Sequence, residues 1–222
     1  MSKNSTLILP YTIPAENASH RFAARSFIDS KNTFFLSKRF LDVSISLVFL
    51  VFLLSWMTPL LAILILLDSR GPVFFLQKRV GRGGKTFVCI KFRTMHVNRE
   101  CHSRTSVKND HRITRLGRFL RRTNIDEFPQ FLNVLKGEMS VIGPRPHMHA
   151  DCSRFSQVVF GYKFRNLVKP GITGLAQVKG YHGPAITYES IFRRFQWDAF
   201  YVRNASFWLD LRILKQTILQ RI

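Results

Sequence analysis

The chain has 222 residues, enough for one sizeable domain or two small ones. Its 34 Lys and Arg against 13 Asp and Glu give a net charge of +21, which calls for acidic company: nucleic acid, anionic lipid headgroups or phosphorylated substrates. With 46% apolar residues and 21 Phe the composition suits a membrane interface better than a nucleic-acid groove, and three widely spaced cysteines (Cys89, Cys101, Cys152) support neither a disulfide framework nor a zinc site.

Residues 1–36 are rich in Ser, Asn and Thr, and the apolar run Leu7–Leu9 is too short for a signal-peptide core, so a loosely ordered extension is expected. Residues 37–69 form the membrane segment. Between Val43 and Leu67 there are 25 residues without a charge, long enough for a membrane helix. A plain transmembrane span is one reading. Thr58-Pro59 interrupts the stretch, since an interior Pro removes a helix hydrogen bond, and the Thr58 hydroxyl can meet a freed carbonyl. Lys38 and Arg39 precede the stretch, and Arg70, Lys78, Arg79 and Arg82 follow it. Positive charge at both ends favours a helix that enters, bends at Pro59 and returns to the same face.

Residues 70–222 are expected to form a compact, helix-rich α+β domain. Val73–Val80 and Lys85–Met95 flank Gly81-Arg82-Gly83-Gly84 and predict a β-hairpin. In its second strand Lys91 and Arg93 share one face, opposite Val88, Ile90 and Phe92. Residues 96–110 read as a loop. Ile113, Leu116, Phe119 and Leu120 recur at helical spacing among Arg115, Arg118, Arg121 and Arg122, and a further helix is expected over 127–136, stopped by Gly137. Gly143-Pro144-Arg145-Pro146 and Lys169 to Gly174 are turns. A last helix over 206–219 carries Phe207, Leu211, Leu214 and Ile218 on one stripe. His147 and His149 are the closest histidine pair and carry no metal signature.

Acidic residues are scarce, so adjacent Asp126-Glu127 beyond a run of arginines needs a reason. An acid at a helix start is ordinary, and Pro129 fits that placement. The same geometry would let a phosphoryl group approach a carboxylate, with arginines on its oxygens and a divalent metal on the pyrophosphate. A carboxylate can also attack phosphorus. Arg145, held between two prolines, suits bidentate phosphate binding.

These features, from about Lys38 onward, resemble the monotopic polyprenol-phosphate phosphoglycosyl transferases, the bacterial sugar transferases of exopolysaccharide and glycan assembly. The markers occur in order: the helix with Pro59, Lys91 to Met95, Arg121 to Pro129, Asn133 to Ser140, Val141 to Pro146, and Lys169 to Gln177. The resemblance implies that Asp126 is the nucleophile forming a covalent phosphosugar intermediate, and that Asp126 and Glu127 hold Mg2+. It implies that Lys91, Arg93, Arg121 and Arg145 bind phosphate, and that Pro144 and Pro146 belong to the nucleotide loop. Thr58 and Pro59 match the family's helix break, with Thr where Ser is usual. Leu175 and Ala205 depart from its commoner residues and leave the sugar open. The implied donor is a UDP-sugar, UDP-glucose or UDP-galactose favoured, and the implied acceptor undecaprenyl phosphate. Anionic lipids, a bacterial inner membrane with the catalytic domain on its cytoplasmic face, and a possible homo-oligomer complete the picture, with no nucleic acid. A membrane-anchored nucleic-acid binder and a non-catalytic scaffold are the alternatives; neither requires Asp126.

Overall fold

A computed structural model describes residues 32–97, 110–183, 185 and 187–220. Nearly all of the 1–36 extension and most of the 96–110 loop lie outside the described residues.

Helix α1 (Asn32–Phe49) runs through a π-helical turn (Leu50–Leu54) into α2 (Ser55–Asp68). Together Thr33–Asp68 make 36 helical residues, long and apolar enough to cross a membrane. The helix does not break at Thr58-Pro59. Pro59 lies inside α2, and the departure from α-geometry sits upstream, where the Ser55 N–H reaches the Leu50 carbonyl. A proline ring crowds the carbonyl four residues back, here that of Ser55, and a widened turn ahead of it relieves the strain. The carbonyls so displaced find donors: Ser55 Oγ to Val51 at 2.5 Å and Trp56 Nε1 to Phe52 at 2.9 Å.

One stripe of this helix (Leu54, Met57, Leu61, Ile65) is buried in the main core with Phe87, Phe92 and Leu120, whereas Phe40, Val51, Phe52, Trp56, Leu60, Ile63 and Leu67 face outward. Its two ends are bonded to one folded body. Near the start, Lys38 pairs with Asp210 at 2.6 Å, Arg39 donates to the Val134 and Leu135 carbonyls at 2.5 and 2.8 Å, and Asp42 accepts from Ser140 Oγ and Val141 N. At the far end, Arg93 donates to the Ile65 and Ser69 carbonyls, and Asp68 accepts from Leu116 N.

β1 (Phe74–Val80) and β2 (Thr86–Phe92) form the expected antiparallel hairpin, Phe74 opposite Phe92 and Val80 opposite Thr86. The turn uses Gly83 and Gly84 at positive φ, which glycine adopts without strain. The Lys91 face is not the solvated one: Phe87 and Cys89, on its side of β2, are buried, and Val88 is exposed. The free edge of β2 is closed by Asn133, whose Oδ1 accepts from Ile90 N at 3.0 Å while Nδ2 donates to Val88 O at 2.7 Å.

α3 (Arg115–Thr123) is capped by Thr114 and ends at Asn124 in the left-handed region. The expected helix over 127–136 is divided. A 3-10 turn (Ile125–Glu127) precedes α4 (Gln130–Leu135), because Pro129 offers no N–H and serves as the N-cap instead. β3 (Ser140–Ile142) pairs in parallel with β4 (Gly171–Thr173), which joins the two glycine-proline turns. A Cβ on Gly171 would lie 2.1 Å from Gly143 N, so only glycine permits the approach. Helices α5 (His149–Val158), α6 (Leu175–Val178), α7 (Tyr188–Asn204) and α8 (Phe207–Leu219) complete the domain. Sequence periodicity left α5 and α7 unassigned. The predicted stripe of α8 faces out at Phe207, Leu211 and Ile218, while Asp210 and Ile213 face the core.

Candidate active site

A cleft of about 900 Å3 opens between the hairpin, the Asp126 turn, the Pro146 loop and helices α5 and α7. Asn124 in the left-handed conformation turns the chain out of α3, which aims Asp126 into this cleft. The helix behind Asp126 is only six residues long and begins four residues later, so charge at the site comes from side chains rather than from a helix end.

Lys91 on β2 and Arg145 on the turn after β3 meet at Glu127. Lys91 Nζ lies 2.8 Å from Glu127 Oε1, and Arg145 forks onto both carboxylate oxygens at 2.6 and 3.1 Å. Burial opposes ionisation of Glu127, yet Arg145 and Lys91 hold its pKa well below the usual carboxylate range. Arg121 gives Nε to Thr94 Oγ1 at 2.7 Å and lines the cleft. Asp126 is buried and, among the described residues, nothing hydrogen-bonds its carboxylate. Burial pushes its pKa up to about 6; Lys91 opposes that, Glu127 adds to it, and Arg121 and Arg145 oppose it.

A buried carboxylate with no committed partner, ringed by three cations, is arranged to meet a phosphoryl group. The profile named "Bacterial sugar transferase" matches residues 33–222. The chain belongs to the bacterial sugar transferase family. It is 43% identical over 182 residues to the UDP-glucose:undecaprenyl-phosphate glucose-1-phosphate transferase of Klebsiella pneumoniae, covering 82% of this chain and 39% of that one. It is 43% identical over 190 residues to the exopolysaccharide production protein PSS of Rhizobium leguminosarum bv. phaseoli, covering 83% and 94%. It is 40% identical over 200 residues to the UDP-galactose-lipid carrier transferase of Erwinia amylovora, covering 82% and 40%. The chain thus spans about two-fifths of the length of several of these relatives.

In this bacterial sugar transferase the cleft gathers Asp126, Glu127, Lys91, Arg121 and Arg145. Arg93 reaches its rim, but the guanidinium is turned onto the end of α2, because β2 stops at Phe92 and strand alternation no longer governs the next residue. Pro146 lines the cleft; Pro144 lies outside it, its carbonyl accepting from Gly171 N. Thr58 and Pro59 sit on α2, outside the lining of the cleft. His147 and His149 diverge, one to Tyr162 at 2.8 Å and the other to Thr86 at 3.0 Å. Sequence reasoning missed Arg79 and Arg194. Arg79 was legible in principle, since Phe75, Gln77 and Arg79 alternate along β1 directly across from Lys91, Cys89 and Phe87, on the same face of the hairpin. Arg194 had no such signal.

Proposed function

We propose that the chain transfers a sugar 1-phosphate from a UDP-sugar to undecaprenyl phosphate through a covalent intermediate on Asp126. One observation carries the reading: the buried Asp126 carboxylate stands uncommitted beside Lys91, Arg121 and Arg145. An Asp126 oxygen attacks the sugar-linked phosphorus, and the bond to the nucleotide phosphate breaks, releasing uridine monophosphate. A polyprenyl phosphate oxygen then attacks the same phosphorus, and the bond to Asp126 breaks. Lys91, Arg121 and Arg145 neutralise the phosphoryl oxygens in both steps, while Glu127 orients Lys91 and Arg145. The names of the relatives favour UDP-glucose or UDP-galactose as donor.

Magnesium takes one or two carboxylates together with waters and substrate phosphates. Asp126 fits that role, whereas both oxygens of Glu127 are already bonded to Lys91 and Arg145, and among the described residues no group of three or more His, Cys, Asp or Glu gathers. Bound by Asp126 and the donor diphosphate, magnesium would neutralise charge on the leaving phosphate.

The membrane segment belongs to this reading as a helix that enters and leaves the cytoplasmic leaflet of the inner membrane on one side. The bonds of Lys38, Arg39 and Asp42 at one end, and of Ile65, Asp68 and Ser69 at the other, support it.

The test is release of uridine monophosphate from a panel of UDP-sugars, with polyprenyl phosphate and magnesium present. Turnover is expected with UDP-glucose or UDP-galactose, and Asp126→Asn should lower it by several orders of magnitude. Near wild-type turnover by the purified variant would rule out the covalent route.

A further inference from the structure

The cleft continues past Asp126 to a second group of cations that the proposed step on Asp126 leaves unused. Arg79 on β1, Arg194 on α7 and His147, just ahead of α5, line this end. Four guanidinium groups act on the His147 imidazole: Arg165, Arg194, Arg79 and Arg145. Two of them are matched by buried carboxylates, Arg145 by Glu127 and Arg165 by Asp198 at 2.9 Å. Arg79 and Arg194 are bonded only to neutral oxygens: Arg79 to the Pro146 carbonyl at 3.1 Å and to Gln77 Oε1, Arg194 to the Gly183 carbonyl. Asp151, which also acts on Arg79, pairs with Arg154 at 3.8 Å.

Three nitrogens at this end have no partner among the described residues. Arg79 Nε, Arg194 Nε and His147 Nε2 are all buried without a hydrogen bond. His147 is 4% exposed, and its Nδ1 lies 2.8 Å from the Tyr162 hydroxyl. With the Tyr162 hydroxyl donating to Nδ1, the neutral imidazole carries its proton on Nε2 and offers it to the cleft. The next residues begin α5, whose N-cap Met148 supplies no side-chain acceptor for the first turn, and Met148, Ala150 and Asp151 line the same cleft. Asp198 acts on Arg194 at longer range, as Asp151 and Glu127 do on Arg79, but no carboxylate hydrogen-bonds either group among the described residues. Buried nitrogens left open beside such guanidinium groups are matched by an anion with several acceptor oxygens.

We propose that Arg79, Arg194, His147 and the first turn of α5 form a second phosphate subsite, which holds the phosphate of the departing uridine monophosphate. It rests on the transfer reading above. Arg145 acts on both Asp126 and His147, so the two subsites are contiguous, as the two phosphates of a nucleotide sugar require. The nucleotide phosphate is thereby held as it accumulates charge, and the subsite is vacated before the acceptor's phosphate enters.

The first arm of the test uses the purified full chain in lipid nanodiscs and needs no turnover. Calorimetry measures the affinities of uridine monophosphate and of uridine. The monophosphate should bind at least about tenfold more tightly, and Arg194→Gln and Arg79→Gln should each remove about tenfold or more of that preference while uridine binding holds. Arg79→Lys should restore part of it. In the transfer assay, an unchanged KM for a short prenyl phosphate assigns the subsite to the nucleotide; a raised KM with unchanged monophosphate binding assigns the same subsite to the acceptor's phosphate. Equal affinity of the unaltered protein for uridine and its monophosphate would overturn the subsite, as would variants that leave both affinities and the KM unchanged. If the unaltered protein binds the monophosphate but releases none from any UDP-sugar, the transfer reading fails and the subsite stands.

Discussion

Burial of the Asp126 carboxyl costs stability at neutral pH. Its pKa rises from an ordinary 3.8 to about 6, chiefly through burial. A carboxyl whose pKa is higher folded than unfolded binds its proton more tightly in the native state, so stability falls as pH climbs from 3.8 and the loss is complete above 6. The shift corresponds to about 3 kcal/mol at pH 7. Asp126→Asn should therefore melt higher than the unaltered chain at pH 7, and the gap should close near pH 4. Scanning calorimetry at the two pH values checks this; equal melting at pH 7 would refute the assignment. Glu127 offers a second test, because its negative charge helps hold the Asp126 pKa up. Glu127→Gln should move the acid limb of kcat/KM to lower pH and cut the rate by about a hundredfold, since Lys91 and Arg145 lose their common anchor. An unmoved limb would show that Asp126 does not titrate in the profile.

At the scale of elements, the long apolar helix of α1 and α2 is bound to the domain at its polar ends. Lys38 and Arg39 read in the sequence as flanking charges; Arg39 instead satisfies carbonyls at the end of α4, and Lys38 is paired with Asp210. Translocating the start of α1 would break both contacts and carry two cations through the hydrocarbon core. Thr33→Cys and Gly83→Cys, made in a background lacking the native cysteines, should both resist an impermeant thiol reagent on intact cells and react after lysis. Labelling of Thr33→Cys alone would establish a transmembrane span. Pro59 need not end the helix for this topology, because the π turn at Leu50–Leu54 takes up the irregularity that its ring imposes.

Across the whole molecule, the +21 charge and the outward apolar faces of α1, α2 and α8 suit an anionic membrane surface, the setting that the proposed function gives to the cation-lined cleft. Phe207, Trp208 and Leu211 stay exposed on α8 although the helix has a fully buried Ile213 on its other side. Much of this was legible in the sequence. The apolar stretch, the hairpin and α8 follow from local composition and periodicity, and Asp126, Glu127, Lys91 and Arg145 stood out because acids are scarce in so basic a chain and prolines flank Arg145. Composition and local pattern were thus enough to single out the candidate site residues and the elements with strong periodicity. Only the tertiary structure decided how those groups are shared out. It committed Arg93 to the end of α2, left Asp126 without a bond while Glu127 received two cations, and drew Arg79 and Arg194 to one end of the cleft. The physical reason is that pairing depends on which donors and acceptors packing brings within about 3 Å of one another, and residues remote in sequence, such as Arg79 and Arg194, share no local period that could announce it.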